Sequence, residues 1–169
     1  IGREFHRFLE QRAAAGADDP PFLAELAHYE WVELAVSLDE SRIEDLAHDP
    51  LGDPLEGIPV LSPLAWPLAY RFPVQRIRED FQPAHAPLEA TFLIVARNRR
   101  DEVGFMAANA LSLKLLECVK ENPDLNGLGC LHALVASLDP EARPALIEAG
   151  ATLLRALKAR DVILGTRIV

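Results

Sequence analysis

Apolar positions recur with two distinct periods along this chain, and the change from one to the other marks its parts. Phe5, Phe8 and Leu9 stand at helical spacing within residues 3–14, and the run Ala15-Gly16-Ala17-Asp18-Asp19 then breaks the pattern. One terminal helix and a short linker are therefore expected. Asp19 is the expected cap of a second helix, with Pro20 and Pro21 in its first turn. Leu23, Ala27, Trp31, Leu34 and Leu38 form one stripe of that helix, and Phe22, Leu26 and Tyr29 a second, so it should pack on two sides. Residues 41–58 carry Asp49-Pro50 and Asp53-Pro54 and read as loop. Prolines then crowd residues 50–87, where Ile58–Leu61 and Leu68–Val74 read as short strands with proline at their ends or on an edge.

The second half has a clearer alternation. Thr91–Arg97 is a strand, Asn98-Arg99-Arg100-Asp101 a turn, and Glu102–Ala107 the returning strand of a β-hairpin. Asn109 caps a helix whose stripe is Leu111, Leu115, Leu116 and Val119. A second helix carries Leu125, Leu128, Leu131, Leu134, Val135 and Leu138, and Asp139-Pro140 opens a third with Leu146, Ile147, Leu153, Leu154 and Leu157. Residues 162–169 close the chain as a strand. The expected fold is α+β: N-terminal helices, then a winged-helix-like domain of hairpin, three helices and closing strand, resembling a peptide-recognition element. The expected divisions are a terminal helix at 1–15 and an α+β domain at 16–169. Within the latter, 19–57 is an acidic helix and loop, 58–88 an extended proline-rich segment, and 89–169 the winged-helix-like part.

Composition adds little to this except through charge. The 169 residues are 50% apolar and 25% charged, ordinary for a globular domain that needs neither disulfide nor metal to fold. Cys118 and Cys130 share no zinc-like spacing, and no apolar run reaches the roughly 18 residues of a membrane helix. A cytoplasmic protein is expected. The net charge of −9 is uneven, because residues 18–57 hold twelve acids against Arg42 alone. Over residues 71–100, by contrast, Arg71, Arg76, Arg78, Arg97, Arg99 and Arg100 face only Glu79, Asp80 and Glu89. The acidic total disfavours duplex DNA binding by this segment, since such binding draws on clustered cations.

Glu25 and His28 stand at the i, i+3 spacing of di-iron helix bundles, but no second Glu-x-x-His accompanies them, so no metal site is expected. Glu30 and Glu33 share a helical neighbourhood and read as a wet face rather than an acid and base pair. His6, His48, His85 and His132 have no nucleophile nearby in sequence, and no hydrolase elbow, zinc-protease motif or phosphate loop occurs. Cys118 and Cys130 read as small core residues, and Trp31 and Trp66 as core or interface anchors. Neither catalysis nor a cofactor is expected.

What remains is a surface for another chain. A hairpin beside a helix offers an unpaired strand edge and an adjoining groove, the geometry that captures an extended peptide as a new strand. The expected peptide-binding residues are Glu102, Val103, Gly104, Phe105 and Met106, with the third helix, 140–158, as the other wall. Val103 and Phe105 share one face of the strand, and Glu102, Gly104 and Met106 the other. Proline at Gly104 is expected to delete a donor along the edge and weaken capture more than alanine.

Three stretches carry a family resemblance: Pro21-Phe-Leu-Ala-Glu-Leu-Ala-His-Tyr-Glu-Trp-Val-Glu-Leu-Ala, Pro63-Leu-Ala-Trp-Pro-Leu-Ala-Tyr-Arg-Phe-Pro-Val, and the hairpin leading into Asn109. Together they resemble the later part of the HvfC/BufC family of peptide-modification partner proteins, first described as having a putative DNA-binding domain. The resemblance implies an N-terminal helical domain, of which residues 1–15 are the last helix, followed by the α+β domain. It implies a non-catalytic partner of a multinuclear non-haem iron oxidative enzyme that modifies cysteines of a ribosomally made precursor peptide (RiPP biosynthesis), the iron belonging to the enzyme. The tail, 91–169, also resembles PqqD-type elements that hold leader peptides, with Ala108-Asn109 where that pattern has Leu-Asn. The alternative reading is a DNA-binding transcriptional regulator whose DNA-contacting part lies mainly upstream.

Overall fold

The computed structural model describes residues 2–14 and 18–168. Residues 1, 15–17 and 169, at the ends of the expected first helix, its linker and the final strand, lie outside the described residues. Two helices, α1 (Gly2–Ala14) and α2 (Leu23–Ser37), precede the strands β1 (Pro59–Leu61), β2 (Ala65–Tyr70), β3 (Thr91–Arg97) and β4 (Val103–Ala108). The chain then runs through α3 (Ala110–Glu121), α4 (Gly127–Val135) and α5 (Arg143–Lys158) to β5 (Ile163–Thr166).

An antiparallel sheet in the order β2-β3-β4 forms the middle layer. Period-2 alternation sends Leu93, Val95, Leu68 and Tyr70 to one face, where α2 supplies Val32 and Val36. Ile94 goes to the other face with Ala65, Ala96, Met106 and Ala108, and meets Leu115, Leu131, Leu154 and Leu157 of α3, α4 and α5. The buried sheet residues thus fall into two cores divided by the strand backbones. Ile94, Val95, Val36, Leu115, Leu154 and Leu157 are fully buried.

The α+β class holds, with antiparallel sheets and helices. The closing strand does not join the hairpin, because β5 pairs antiparallel with β1, Pro59 opposite Thr166, in a separate two-stranded sheet. A loop strand of one residue, Asp49, exchanges main-chain hydrogen bonds with Thr166 on the opposite side. Gly165 makes this fit, since its φ is +148° and a Cβ there would stand 2.0 Å from the Asp49 carbonyl oxygen.

Local expectations need four corrections. Asp19 does not cap α2; its carboxylate pairs with Arg12 at 2.9 Å, and the helix starts at Leu23 with no side-chain cap. The buried face of α2 is Phe22, Val32 and Val36, with Leu26 and Tyr29 packed beside them, whereas Leu34 and Leu38 are exposed. Apart from the wet face of Glu30 and Glu33, apolar residues spread round most of this helix, so period alone does not choose the buried face and the facing sheet does. The second proline-rich strand is Ala65–Tyr70 rather than Leu68–Val74, set by its register against β3. Asp139 turns back to accept from the Glu141 amide, so α5 starts at Arg143 with Pro144 in its first turn. Asn109 does cap α3, in a reciprocal capping box with Ser112.

Candidate functional site

The outer edge of β4 is the candidate site. Which of its main-chain groups face outward follows from two hydrogen bonds. The Arg97 amide donates to Leu64 on the β2 side, and the Asn98 amide donates to Glu102 on the β4 side. Alternation then directs Gly104 and Met106 inward to their partners Ala96 and Ile94, and leaves Val103, Phe105 and Ala107 directed outward. Among the described residues no strand pairs with that edge.

The opposite edge of the sheet differs. On β2 the outward positions are Ala65, Pro67 and Ala69. The Ala65 amide is already donated to Ser62, and Pro67 has no amide to donate. Proline at an edge is the usual protection against a further strand. A groove of about 1010 Å³ runs along this edge against Leu113, Leu116 and Glu117 of α3, but its strand offers only the Ala69 donor. Of the two edges, only β4 keeps its donors.

Beside β4 lies a groove of about 390 Å³. Ile94, Ala96, Gly104 and Met106 line its floor, Asn98–Arg100 of the hairpin turn one end, and Ala159, Arg160 and Asp161 the far side. The other wall is therefore the turn after α5 and not the flank of the helix, residues 140–158. A Cβ built on Gly104 meets nothing within 4 Å, so the strand is bare where it borders the groove.

On the other face of β4, the Phe105 and Tyr29 rings lie 4.4 Å apart, and Val103 and Phe105 pack against the α2 core. Met106 packs against the helical core on the reverse face, in keeping with the expected alternation. Glu102 ends the strand beside the turn, its carboxylate accepting from Asn98 Nδ2 at 2.8 Å. Gly104 is the residue whose placement changes the reasoning. Its amide faces β3, so proline there would break the hairpin instead of the open edge.

Charges around the groove are unevenly satisfied. Arg99 is held by Asp161 at 3.0 Å and donates to the Leu164 carbonyl at 2.8 Å. His48 accepts from the same guanidinium at 3.2 Å and in turn donates to the Leu46 carbonyl. Asp161 also accepts from the Arg99 amide. Arg100 and Arg160 at the rim make no side-chain hydrogen bond or ion pair among the described residues.

Most arginines of the basic run are occupied within the fold. Arg71 pairs with Glu25, Arg78 with Asp80, and Arg76 lies over the Phe81 ring. Arg97 donates to the carbonyls of Ser37, Asp39 and Ser41 at 2.8, 2.8 and 2.9 Å. It thereby ties the end of α2 and the following loop to the hairpin, a role its place in a charge run does not reveal.

The remaining candidates are structural in their contacts. Glu25 accepts from Arg71 Nε and from the Phe72 amide, both at 2.9 Å, and His28 Nδ1 lies 2.9 Å from the Tyr70 hydroxyl. The two side chains thus face β2 and its following turn. Burial, then the nearby Glu25, push the Tyr70 hydroxyl pKa up, while Tyr29 is raised by burial and by Glu30 and Glu33. Trp31 and Trp66 have ring centroids 6.4 Å apart beside the α2 core. Cys118 and Cys130 are both buried, and burial pushes the Cys130 thiol up to about 12. The side chain of His6 is outside the described residues, and among those described no group of three metal-ligating side chains occurs. Among the described residues no helix is long and apolar enough to cross a membrane.

Comparison with known proteins gives one family. The family model for the HvfC C-terminal domain matches residues 62–158, more than half of the chain, from just before β2 to the end of α5. No curated protein matches the chain.

Proposed function

From the premise that this chain belongs to the HvfC C-terminal domain family, we propose that it is a non-catalytic partner protein of a peptide-modification system. It holds an extended segment of a ribosomally made precursor peptide on β4 and presents it to an iron-dependent oxidative enzyme that acts on the peptide's cysteines. The observation that carries this reading is the open β4 edge, with the Val103, Phe105 and Ala107 main-chain groups facing outward along a groove. A peptide added there gains main-chain hydrogen bonds regardless of its sequence, and its alternate side chains enter the groove, where selection acts. The matched family region contains β4, its hairpin turn and the floor of the groove, and ends just before Ala159, Arg160 and Asp161 of the far side.

The regulator reading has less to stand on in this segment. Arg71, Arg76, Arg78, Arg97 and Arg99 are each engaged within the fold, so they do not form a free cationic stripe. Co-expression with an iron-dependent oxidative enzyme and a short cysteine-containing precursor peptide as candidate partners tests the proposal. Co-elution of all three on size exclusion is expected. Elution of this protein alone, together with salt-sensitive binding to duplex DNA, would overturn it in favour of the regulator.

A further inference from the structure

Resting on the peptide-capture reading, we infer that the β4 groove selects an extended segment with a large aliphatic side chain flanked, two residues away, by acidic ones. In an added strand, the residue opposite Gly104 projects onto the same face as Gly104, Ala96 and Met106, toward the groove. The two residues that pair across the hairpin at that point are a glycine and an alanine. The floor is therefore bare where the incoming side chain arrives, and a Cβ at Gly104 would meet nothing within 4 Å. Ile94, Ala96 and Met106 make this space apolar, so it suits leucine, isoleucine or methionine rather than a polar residue.

Charge sets the flanks. The groove is bordered by Arg99, Arg100 and Arg160 against Glu102 and Asp161. Asp161 is spent on Arg99, and Glu102 accepts from Asn98. Glu102 keeps its charge because its Asn98 partner is a neutral amide. Arg100 and Arg160, in no ion pair among the described residues, outnumber it, so the rim is net positive on a chain whose net charge is −9. Side chains two positions from the aliphatic one share its face, one opposite Met106 and the other opposite Glu102, where Arg99 and Arg100 also border the groove. The opposite face of β4 does not suit acids, because Val103 and Phe105 pack on the apolar α2 core and the Phe105 ring lies against Tyr29. Acidic residues are thus favoured on one face of the peptide only.

The probe is a labelled strand peptide, Thr-Glu-Val-Leu-Val-Glu-Thr, whose glutamates and leucine share a face. Companion peptides replace leucine by alanine, or both glutamates by lysine. Binding to the full chain is followed by fluorescence anisotropy, and amide hydrogen exchange of β4 is recorded in parallel. Gly104→Val, which fills the bare floor with a strand-favouring residue, is expected to weaken the leucine peptide about tenfold, the burial of one aliphatic side chain. It should leave the alanine peptide unchanged. The double variant Arg100→Glu/Arg160→Glu should weaken the glutamate peptide and strengthen the lysine peptide. If the wild-type complex protects the Val103, Phe105 and Ala107 amides but neither variant changes the preference, the selection rule is overturned and edge capture stands. If no peptide protects those amides, both fall.

Discussion

Replacing Arg97 by methionine removes the guanidinium and keeps most of the aliphatic stem. The side chain is only 12% exposed and donates to the carbonyls of Ser37, Asp39 and Ser41. Hydrogen bonds from a charged donor contribute about 1.5–3 kcal/mol each when their loss strands the partner in the interior. The Ser37 contact is exposed and its carbonyl can rehydrate, whereas those to Asp39 and Ser41 are partly buried. Nε is itself buried with no hydrogen bond, its nearest carboxylate oxygen, on exposed Asp101, being 3.7 Å away, so methionine also relieves one unmet donor. The net loss expected for Arg97→Met is therefore about 2–4 kcal/mol, less than the sum over three bonds. Trp31 and Trp66 pack beside the α2 core and report on it, so urea unfolding followed by tryptophan fluorescence reads the change directly. Arg97→Lys, which keeps the charge without the planar fork, should fall between the two. A change below about 0.5 kcal/mol in Arg97→Met would show that the three carbonyls are content with water and that Arg97 does not fasten α2 to the hairpin.

Three further outcomes are expected. Leu154→Ala, at a fully buried position of the helical core, should lose about 2–5 kcal/mol in urea unfolding, and a loss under 1 would mean that this core is loosely packed. Gly165→Ala places a Cβ 2.0 Å from the Asp49 oxygen at a φ of +148°, so its melting temperature should drop sharply, and an unchanged melt would refute the β5 closure described here. The Cys130 thiol, ordinarily near 9.0, is raised to about 12 by burial, so the unfolded chain loses that proton first as pH rises. Stability from this group should hold below pH 9 and decline from there to 12, a decline that the Cys130→Ser variant lacks; equal pH dependence in both would contradict it.

The hairpin and the helices after it were legible because their signals are local: strict alternation in Thr91–Arg97, a four-residue turn, and Asn109 as a cap. The partner of the final strand was not, because pairing β5 with β1 joins residues more than a hundred positions apart and depends on Gly165 admitting the Asp49 loop. The face of α2 was hidden because its apolar residues spread over more than one stripe, and Val32 and Val36 carry no mark that sets them above Leu34 and Leu38. For the site, alternation placed Val103 and Phe105 against Gly104 and Met106 correctly, but which amides face outward depends on the register of β3 between its two neighbours. That register moves the edge donors to Val103, Phe105 and Ala107 and makes Gly104 a floor residue. The protective role of Pro67 was not legible, because the expected strand began at Leu68, and only the pairing of β2 with β3 places Pro67 in an edge strand with its missing amide on the outer side.

Capture of a strand on β4 is tested most directly by titrating the nitrogen-15-labelled protein with the Thr-Glu-Val-Leu-Val-Glu-Thr peptide and measuring amide exchange residue by residue. The amides of Val103, Phe105 and Ala107 should exchange quickly in the free protein and slow on saturation, while those of Gly104 and Met106, already bonded to β3, stay slow in both states. Saturable binding with unchanged exchange at Val103, Phe105 and Ala107, or protection that falls on Ala69 of β2, would contradict it.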